Sequence, residues 1–495
     1  MGGPHPQCQK KNAETLKGFL QKPAIAAANQ RRPFLYSGGG RTVSNTGDHR
    51  LEPENSSASA AVRAALAAAA ARSSRGGAQR DRPAARWSAP GCHLRQRLRR
   101  SPSSPFNSHT EIVNAICSFN DSRSDVCEMK GDIRILGNSS TIFYASHGTE
   151  SFEGNNFWSI RPYARKGDNT AMGRVRKVKI NVAARMDQEI PRCTKNFSIP
   201  AIVFSTGGYA GNHFHDFSDV LIPLYLNARE FDGEIQFLVT DKQSWWTSKY
   251  KEILWRLSNY GIIDIDKEND VLCFPSMIVG LKAHKEFSID PSTSRYSMKD
   301  FRQFLSSTYS LKRESISNIR TNSKGKIRPR LLIISRKKTR RITNEREIVD
   351  MARSIGFNVV VKETGRNVPS VSHLVNSCDV LVGVHGAGLT NMVFLPDNAL
   401  VVQIVPLGLD SLAANDFEEP AKDMNLRYLK YTTSLNESSL SQQYLHDHQV
   451  LKDPGAIHKK GWDTFRSVYL DNQNVKIDIT RFRGTLLKAF KNLQI

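Results

Sequence analysis

The feature that most constrains this chain is a series of short, wholly apolar runs separated by segments of helical period. The first group comprises Ala201–Ser205, Ile235–Thr240 and Val271–Phe274, with helical spacing near 216–229 and 247–259. The second comprises Leu331–Ser335, Asn358–Val361, Val380–Val384 and Leu400–Val405, with helical patterns over 344–355 and 370–378 and another after 389. Strand-length runs without polar alternation need cover on both faces, and strands alternating with helices of this length predict parallel sheets. At 495 residues the chain exceeds one ordinary core. Two α/β domains are therefore expected, over 111–325 and 326–480. A basic, Ser/Asn-rich stretch at 315–329 reads as the hinge, and Arg481–Leu493 as an amphipathic helix within a terminal segment, 481–495.

Charge is unevenly distributed. Of a formal net charge of +23, residues 1–110 supply 18 lysines and arginines against 5 acidic residues, and the remainder supplies 52 against 42. That first stretch holds three glycines at 38–40, an alanine tract at Ala58–Ala71 broken by Arg63, and the run Arg95–Arg100. Such a composition buries too little apolar surface to offset its chain entropy, so 1–110 is expected to be a disordered basic tail. It reads as a solvated arm, as an arm for nucleic acid or anionic membrane, or as an arginine-rich transit peptide. Its arginines lack interleaved aromatics and no nucleic-acid motif accompanies them, so nucleic acid is not an expected partner. No run of about 18 apolar residues occurs, so no conventional membrane span is expected.

The seven cysteines are Cys8, Cys92, Cys117, Cys127, Cys193, Cys273 and Cys378. None forms Cys-x-x-Cys and no Cys/His group has zinc spacing, so a structural metal is not expected. Glycosylation sequons stand at Asn120, Asn138, Asn196 and Asn436, with a fifth at Asn55 in the tail. Several sequons, with cysteines near the start of the folded part, fit a lumenal protein and predict a disulfide among Cys117, Cys127 and Cys193.

Ligands of α/β sheets sit at the carboxyl ends of strands, and three strand ends carry unusual residues. In DVLVGVHGAGLTNMVFLP (379–396) a strand runs into His385, Gly386, Ala387 and Gly388 and a helix start, a turn at which backbone approaches an anion closely. A tight turn with a satisfied histidine is the alternative. Asn391 stands where a dinucleotide fingerprint needs its third glycine, which weakens an NAD-dependent oxidoreductase. In RLLIISRKKTRRITNERE (330–347) the strand delivers Arg336, whose planar fork suits a diphosphate, while Lys337 and Lys338 read as solvated. Asn344 and Glu347 resemble a capping box there. In STGGYAGNHFHDFSDVLIPLYLNARE (205–230) a glycine-bearing loop precedes a helix. On its wheel His215 and Asp219 lie opposite the buried face, four residues apart. A carboxylate on one imidazole nitrogen leaves the other as a base; a plain helix start is the competing account.

Together these segments resemble glycosyltransferase family 61, in the grass-type group that includes xylan arabinosyltransferases. The resemblance covers about 111–495. It rests on CSFNDSRSDVCEMKGDIRI (117–135), STGGYAGNHFHDFSDVLIPLY (205–225), VGVHGAGLTNMVFLP (382–396) and GWDTFRSVYLDNQNVKID (461–478). It implies a GT-B-like α/β fold of two facing Rossmann-like domains, acceptor-side then nucleotide-sugar-binding, behind the basic tail. It further implies inverting transfer from a UDP-pentose donor without a bound metal or other cofactor. The base role falls on His215 with Asp219 orienting it, or on Asp219 directly. Donor binding falls on His385, Gly386, Ala387, Gly388 and Asn391, with Arg336 on the diphosphate and Glu363 at the ribose or base.

The product implied is arabinofuranose on a xylose hydroxyl of xylan, in cell-wall synthesis. A xylosyltransferase acting on xylan side chains or N-glycan cores is the alternative. Outside the class stand a nucleic-acid-binding protein and the oxidoreductase. Members of the family are Golgi-lumenal type II membrane proteins, and the apolar anchor they carry is missing from 1–110.

Overall fold

The apolar runs fold as strands of two sheets, in a mixed α/β architecture. The computed structural model describes residues 117–145, 157–183, 190–316 and 328–493. The disordered-tail expectation, with Cys8, Cys92 and Asn55, and most of the hinge at 315–329 lie outside those residues. All described residues belong to one compact unit, 107–495.

The first sheet contains β1 (Cys117–Ser118), β2 (Val126–Leu136), β3 (Thr141–Ala145), β4 (Phe157–Ile160), β5 (Val178–Ala183), β6 (Lys195–Asn196), β7 (Ala201–Ser205), β8 (Gln236–Thr240), β9 (Ile263–Asp264) and β10 (Val271–Val279). Its main order is β4-β5-β3-β2-β10-β7-β8-β9. The expected parallel pairing holds for β10, β7, β8 and β9. It holds also for β6 with β10 and β3 with β5, whereas β2 runs antiparallel to both β10 and β3, and β4 antiparallel to β5. The reason lies in β2, VCEMKGDIRIL, whose buried and polar positions intermix and present no apolar run. A tight turn at Gly137–Ser139 then returns the chain beside it, which only antiparallel strands allow. A Cβ on Gly137 would stand 2.2 Å from the Ile265 carbonyl oxygen, so glycine alone fits there.

The second sheet contains β11 (Arg330–Ile334), β12 (Asn358–Lys362), β13 (Val380–Val384), β14 (Leu400–Val405) and β15 (Arg427–Thr432), all parallel in the order β12-β11-β13-β14-β15. This is a doubly wound order, and it opens a crevice where winding reverses, between β11 and β13. Successive residues serve opposite layers. Leu331 and Ile333 pack under the helices Glu345–Ile355 and Ile479–Asn492, while Leu332 and Ile334 join the interior shared with the first sheet. The terminal helix is thus the outer cover of this sheet. Asn344 does not close a capping box: its amide holds both backbone groups of Ile477, at 2.8 and 2.9 Å. The segment after β13 is a 3₁₀ helix, Ala387–Phe394, rather than an α-helix starting after 389.

The shared interior is built around a helical run we call α1: His213–His215, a π-turn segment Asp216–Leu221, and Ile222–Ala228. Phe217 of α1 meets Phe287, Phe301 and Phe394 edge-on. Cys117 pairs with Cys127, as expected. Cys193 pairs instead with Cys273, because β6 lies parallel to β10 and sets Asn196 beside Cys273. Asn120, Asn138, Asn196 and Asn436 are all exposed. Among the described residues no helix is long and apolar enough to cross a membrane.

One buried ion pair ties the helix Met298–Thr308 to the second sheet. Arg302, 6% exposed, reaches Asp397 at 2.6 Å and the carbonyls of Leu395 and Met424. Arg302→Ala strands the two carbonyls and leaves the half-buried Asp397 with Asn425, so unfolding in urea should show a loss of about 3 kcal/mol.

Candidate functional site

A cleft of about 1210 Å³ opens at the carboxyl ends of β7, β11 and β13, and residues of both sheets' loops line it. On the first sheet's side, β7 ends at Ser205 and a loop leads to α1. Gly208 (φ +55°) lies against the Tyr163 ring, where a Cβ would come within 2.5–2.9 Å. Asn212 then caps α1 by accepting from the Phe214 amide.

His215 lines the cleft. Its Nδ1 lies 3.0 Å from Asp219 Oδ2, and its Nε2 has no hydrogen-bond partner among the described residues. In the neutral ring this geometry puts the proton on Nδ1, toward the carboxylate, and the lone pair on Nε2. Asp219 departs from its helical-wheel position. It is wholly buried because α1 is enclosed all round at 216–221, so it has no solvent face to occupy. A buried carboxylate needs full compensation. Asp219 accepts from the Tyr163 hydroxyl at 3.0 Å, from Arg165 at 2.8 and 3.0 Å, and from Arg123 at 3.2 Å. Burial alone would raise its pKa; the His215 hydrogen bond and the Arg165 charge overturn that and bring it to about 2. Enclosed in this way, Asp219 orients His215 and does not itself reach the cleft.

Both arginines also grip Glu286, at 2.6 and 3.0 Å. Arg123 lies within the loop closed by the Cys117–Cys127 disulfide, which explains the cysteine-bounded segment of the sequence. Nothing in its local pattern marks Arg123 or Arg165 as partners of a residue so distant in the chain.

On the second sheet's side, Arg336 follows β11 and Arg340 follows closely, with φ +52°. Arg336 Nε donates to the Thr339 carbonyl at 2.8 Å, and Arg340 Nη1 donates to the His385 carbonyl at 2.9 Å. A Cβ on Gly386 (φ +139°) would stand 2.8 Å from Arg340 Nη1 and 3.0 Å from Arg336 Nη1, so both forks close on this glycine. Neither arginine has a carboxylate in ion-pair range among the described residues, and Arg340 Nε is buried without a partner. Burial lowers the pKa of both; with Arg336 beside it, Arg340 falls to about 9. Two packed cations without a counter-ion form a site for an anion. Arg340 was not distinguishable by sequence within a run of seven basic or hydroxyl residues, 335–341. Lys337 points outward and pairs with the exposed Glu363 at 3.0 Å, at the rim.

The remaining signature residues are more deeply engaged. His385 is 3% exposed; its Nδ1 accepts from the Gln403 amide at 2.9 Å, and its Nε2 lies 3.8 Å from Asp416. Burial and the two arginines lower its pKa to about 3, so it is neutral. Asn391 holds the Gly388 carbonyl at 2.8 Å and faces His213 Nε2 at 3.2 Å, linking the two signature segments across the cleft. Burial, then Lys249, lowers the His213 pKa to about 4. Asp416, unmarked in the sequence, lines the cleft, and burial with the nearby Glu286 raises its pKa to about 7. Ala387 and Gly388 line the turn between. Among the described residues no group of three His, Cys, Asp or Glu side chains is placed to hold a metal ion.

A family model described as Glycosyltransferase 61 matches residues 213–402, the span that contains these cleft residues from His213 to Asn391. The chain is 45% identical over 383 residues to alpha-1,3-arabinosyltransferase XAT3 of Oryza sativa subsp. japonica, covering 76% of this chain and 65% of that one. Alpha-1,3-arabinosyltransferase XAT2 of the same organism is 46% identical over 385 residues, covering 76% and 64%. Beta-1,2-xylosyltransferase XYXT1, also from that organism, is 43% identical over 394 residues, covering 76% and 84%. This chain thus spans somewhat less than two thirds of the length of the two arabinosyltransferases.

The Asp219 cluster has a pH signature. Its folded pKa, about 2, lies below the unfolded value of about 3.9, so its stabilisation is complete above the unfolded value and is lost as pH falls through the folded one. In urea unfolding, the stability difference between the chain and Asp219→Asn should narrow from about pH 4 toward pH 2.

Proposed function

The chain belongs to glycosyltransferase family 61, and we propose that it moves a pentose, arabinofuranose, from a UDP-sugar to a xylose hydroxyl of xylan with inversion. The observation that carries this reading is one cleft holding two unpaired arginines against Gly386 and, on its other sheet, a carboxylate-backed histidine with a free nitrogen. The names of the two arabinosyltransferases supply the sugar, and the acceptor class comes from a further relative, 36% identical over 389 residues and named a xylan glycosyltransferase, from Arabidopsis thaliana. Identity of 43% to a relative named a xylosyltransferase makes xylose the second donor sugar to test.

Inversion is an in-line displacement at the anomeric carbon through an oxocarbenium-like transition state. As the glycosidic bond to the diphosphate breaks, negative charge grows on its oxygens. Arg336 and Arg340 then hold it more strongly than in the ground state, which lowers the barrier. Across the cleft, His215 Nε2 takes the proton of the attacking hydroxyl, and Asp219 stabilises the imidazolium that results. In this reading the two arginines carry the charge of the leaving group and no metal is required. Gly386, Ala387 and Gly388 admit the diphosphate, Glu363 meets the ribose at the rim, and His385 and Asn391 hold the turn in shape.

The two-sheet layout supports a GT-B-like arrangement, 111–325 facing the acceptor and 326–480 binding the donor. Two disulfides and four exposed sequons support a lumenal setting; Golgi residence as a type II membrane protein is proposed from membership of the family alone.

Two substitutions test the roles separately. His215→Ala should lower kcat by about 10²–10⁴ and leave UDP affinity unchanged; near-normal turnover would remove the base assignment. Arg340→Ala should weaken UDP binding by roughly 10–100-fold in calorimetry, and Arg336→Ala similarly; unchanged affinity would remove the diphosphate site.

A further inference from the structure

A second pocket, of about 530 Å³, adjoins the cleft at the ends of β7, β8 and β9 and shares Arg174 and Ala210 with it. Side chains in mutual contact lead from one to the other. Tyr209 packs on His215 with ring centroids 4.7 Å apart, and the Arg174 guanidinium lies over the Tyr209 ring at 5.7 Å. Beyond Ala210 comes Gly211, with the Trp245 ring edge 3.1 Å from where its Cβ would be. Trp245 is 44% exposed; of the exposed tryptophans among the described residues, which include Trp255 and Trp462, it is the one that lines this pocket.

The pocket is firmly built. Asp241 accepts from the Ser205 hydroxyl at 2.7 Å and the Arg176 amide at 2.9 Å, and Asp266 accepts from Thr240 and the Asp241 amide. The neighbouring Trp246 donates to buried Asp216 at 2.8 Å, which fixes the short helix Ser244–Lys249 that carries Trp245. Four cationic and three anionic side chains line the pocket, so its charges nearly balance. That contrasts with the uncompensated Arg336 and Arg340, and it disfavours a second phosphate. Arg174 and Lys242 make no ion pair among the described residues and remain available to hydroxyl groups. A flat, exposed aromatic face beside polar donors matches a pyranose ring, which offers an apolar C–H face and a hydroxyl edge.

We propose that this pocket is an extended acceptor subsite, in which sugars of a xylan chain beyond the one being modified run over Ala210 and Arg174 and stack on Trp245. The proposal rests on the acceptor class given above and adds where its chain lies. Its occupant is an unbranched run of pyranoses, longer than the cleft alone accommodates.

The test measures binding apart from transfer. Affinities for xylohexaose and xylobiose are determined by calorimetry on the full chain and on Trp245→Ala, with UDP affinity as the control for folding. Expected is about a tenfold weaker Kd for xylohexaose in Trp245→Ala, with xylobiose and UDP unchanged, and recovery of most of the loss in Trp245→Phe. Equal xylohexaose affinity in the two proteins, including the case in which neither binds it, overturns the subsite. So does an equal loss for both sugars. Trp245-dependent binding of xylohexaose without any sugar transfer would uphold the subsite while removing the transferase reading.

Discussion

The buried carboxylate of Asp219 is the constraint around which the first half of the cleft is organised. A charge removed from water must be met by fixed partners, and here they come from three separate parts of the chain: Arg123, the Tyr163–Arg165 segment, and His215 one turn away. Satisfying that one group sets the orientation of the histidine and fixes the cysteine-closed loop over the strand ends. It also locks Glu286 into the same network. The free imidazole nitrogen is therefore a consequence of the electrostatics beneath it.

The opposite wall is organised by the reverse condition. Arg336 and Arg340 meet at Gly386 with no carboxylate in ion-pair range among the described residues, and burial weakens their hold on protons. Like charges at close range raise the free energy of the empty site and increase its preference for an anion. One side of the cleft is thus internally neutralised, and the other keeps an excess of positive charge. A donor whose leaving group gains negative charge fits that asymmetry.

The inner strands of the second sheet were legible in the chain, because the apolar runs of β11, β13 and β14 are buried on both faces; β15, a partly exposed edge strand with polar interruptions, was not. A disulfide among Cys117, Cys127 and Cys193 was legible too, but not that Cys117 and Cys127 pair while Cys193 goes to Cys273. The antiparallel part of the first sheet was not, since β2 mixes polar and apolar positions and its partner β10 lies far along the chain. Periodicity also misplaced Asp219. A wheel assumes one wet face, and α1, enclosed between the layers, has none over its π-turn segment.

By itself, the sequence determined which residue types arrive at each strand end: a glycine turn, an arginine, and a histidine four residues from an aspartate. These are local properties, set by strand length, turn sterics and helical spacing. Only the tertiary structure decided that Arg340 rather than Lys337 faces inward, that Asn391 meets His213, and that Arg123 compensates Asp219. Pairings of that kind depend on packing and desolvation between segments distant in the chain, and no short-range pattern encodes them.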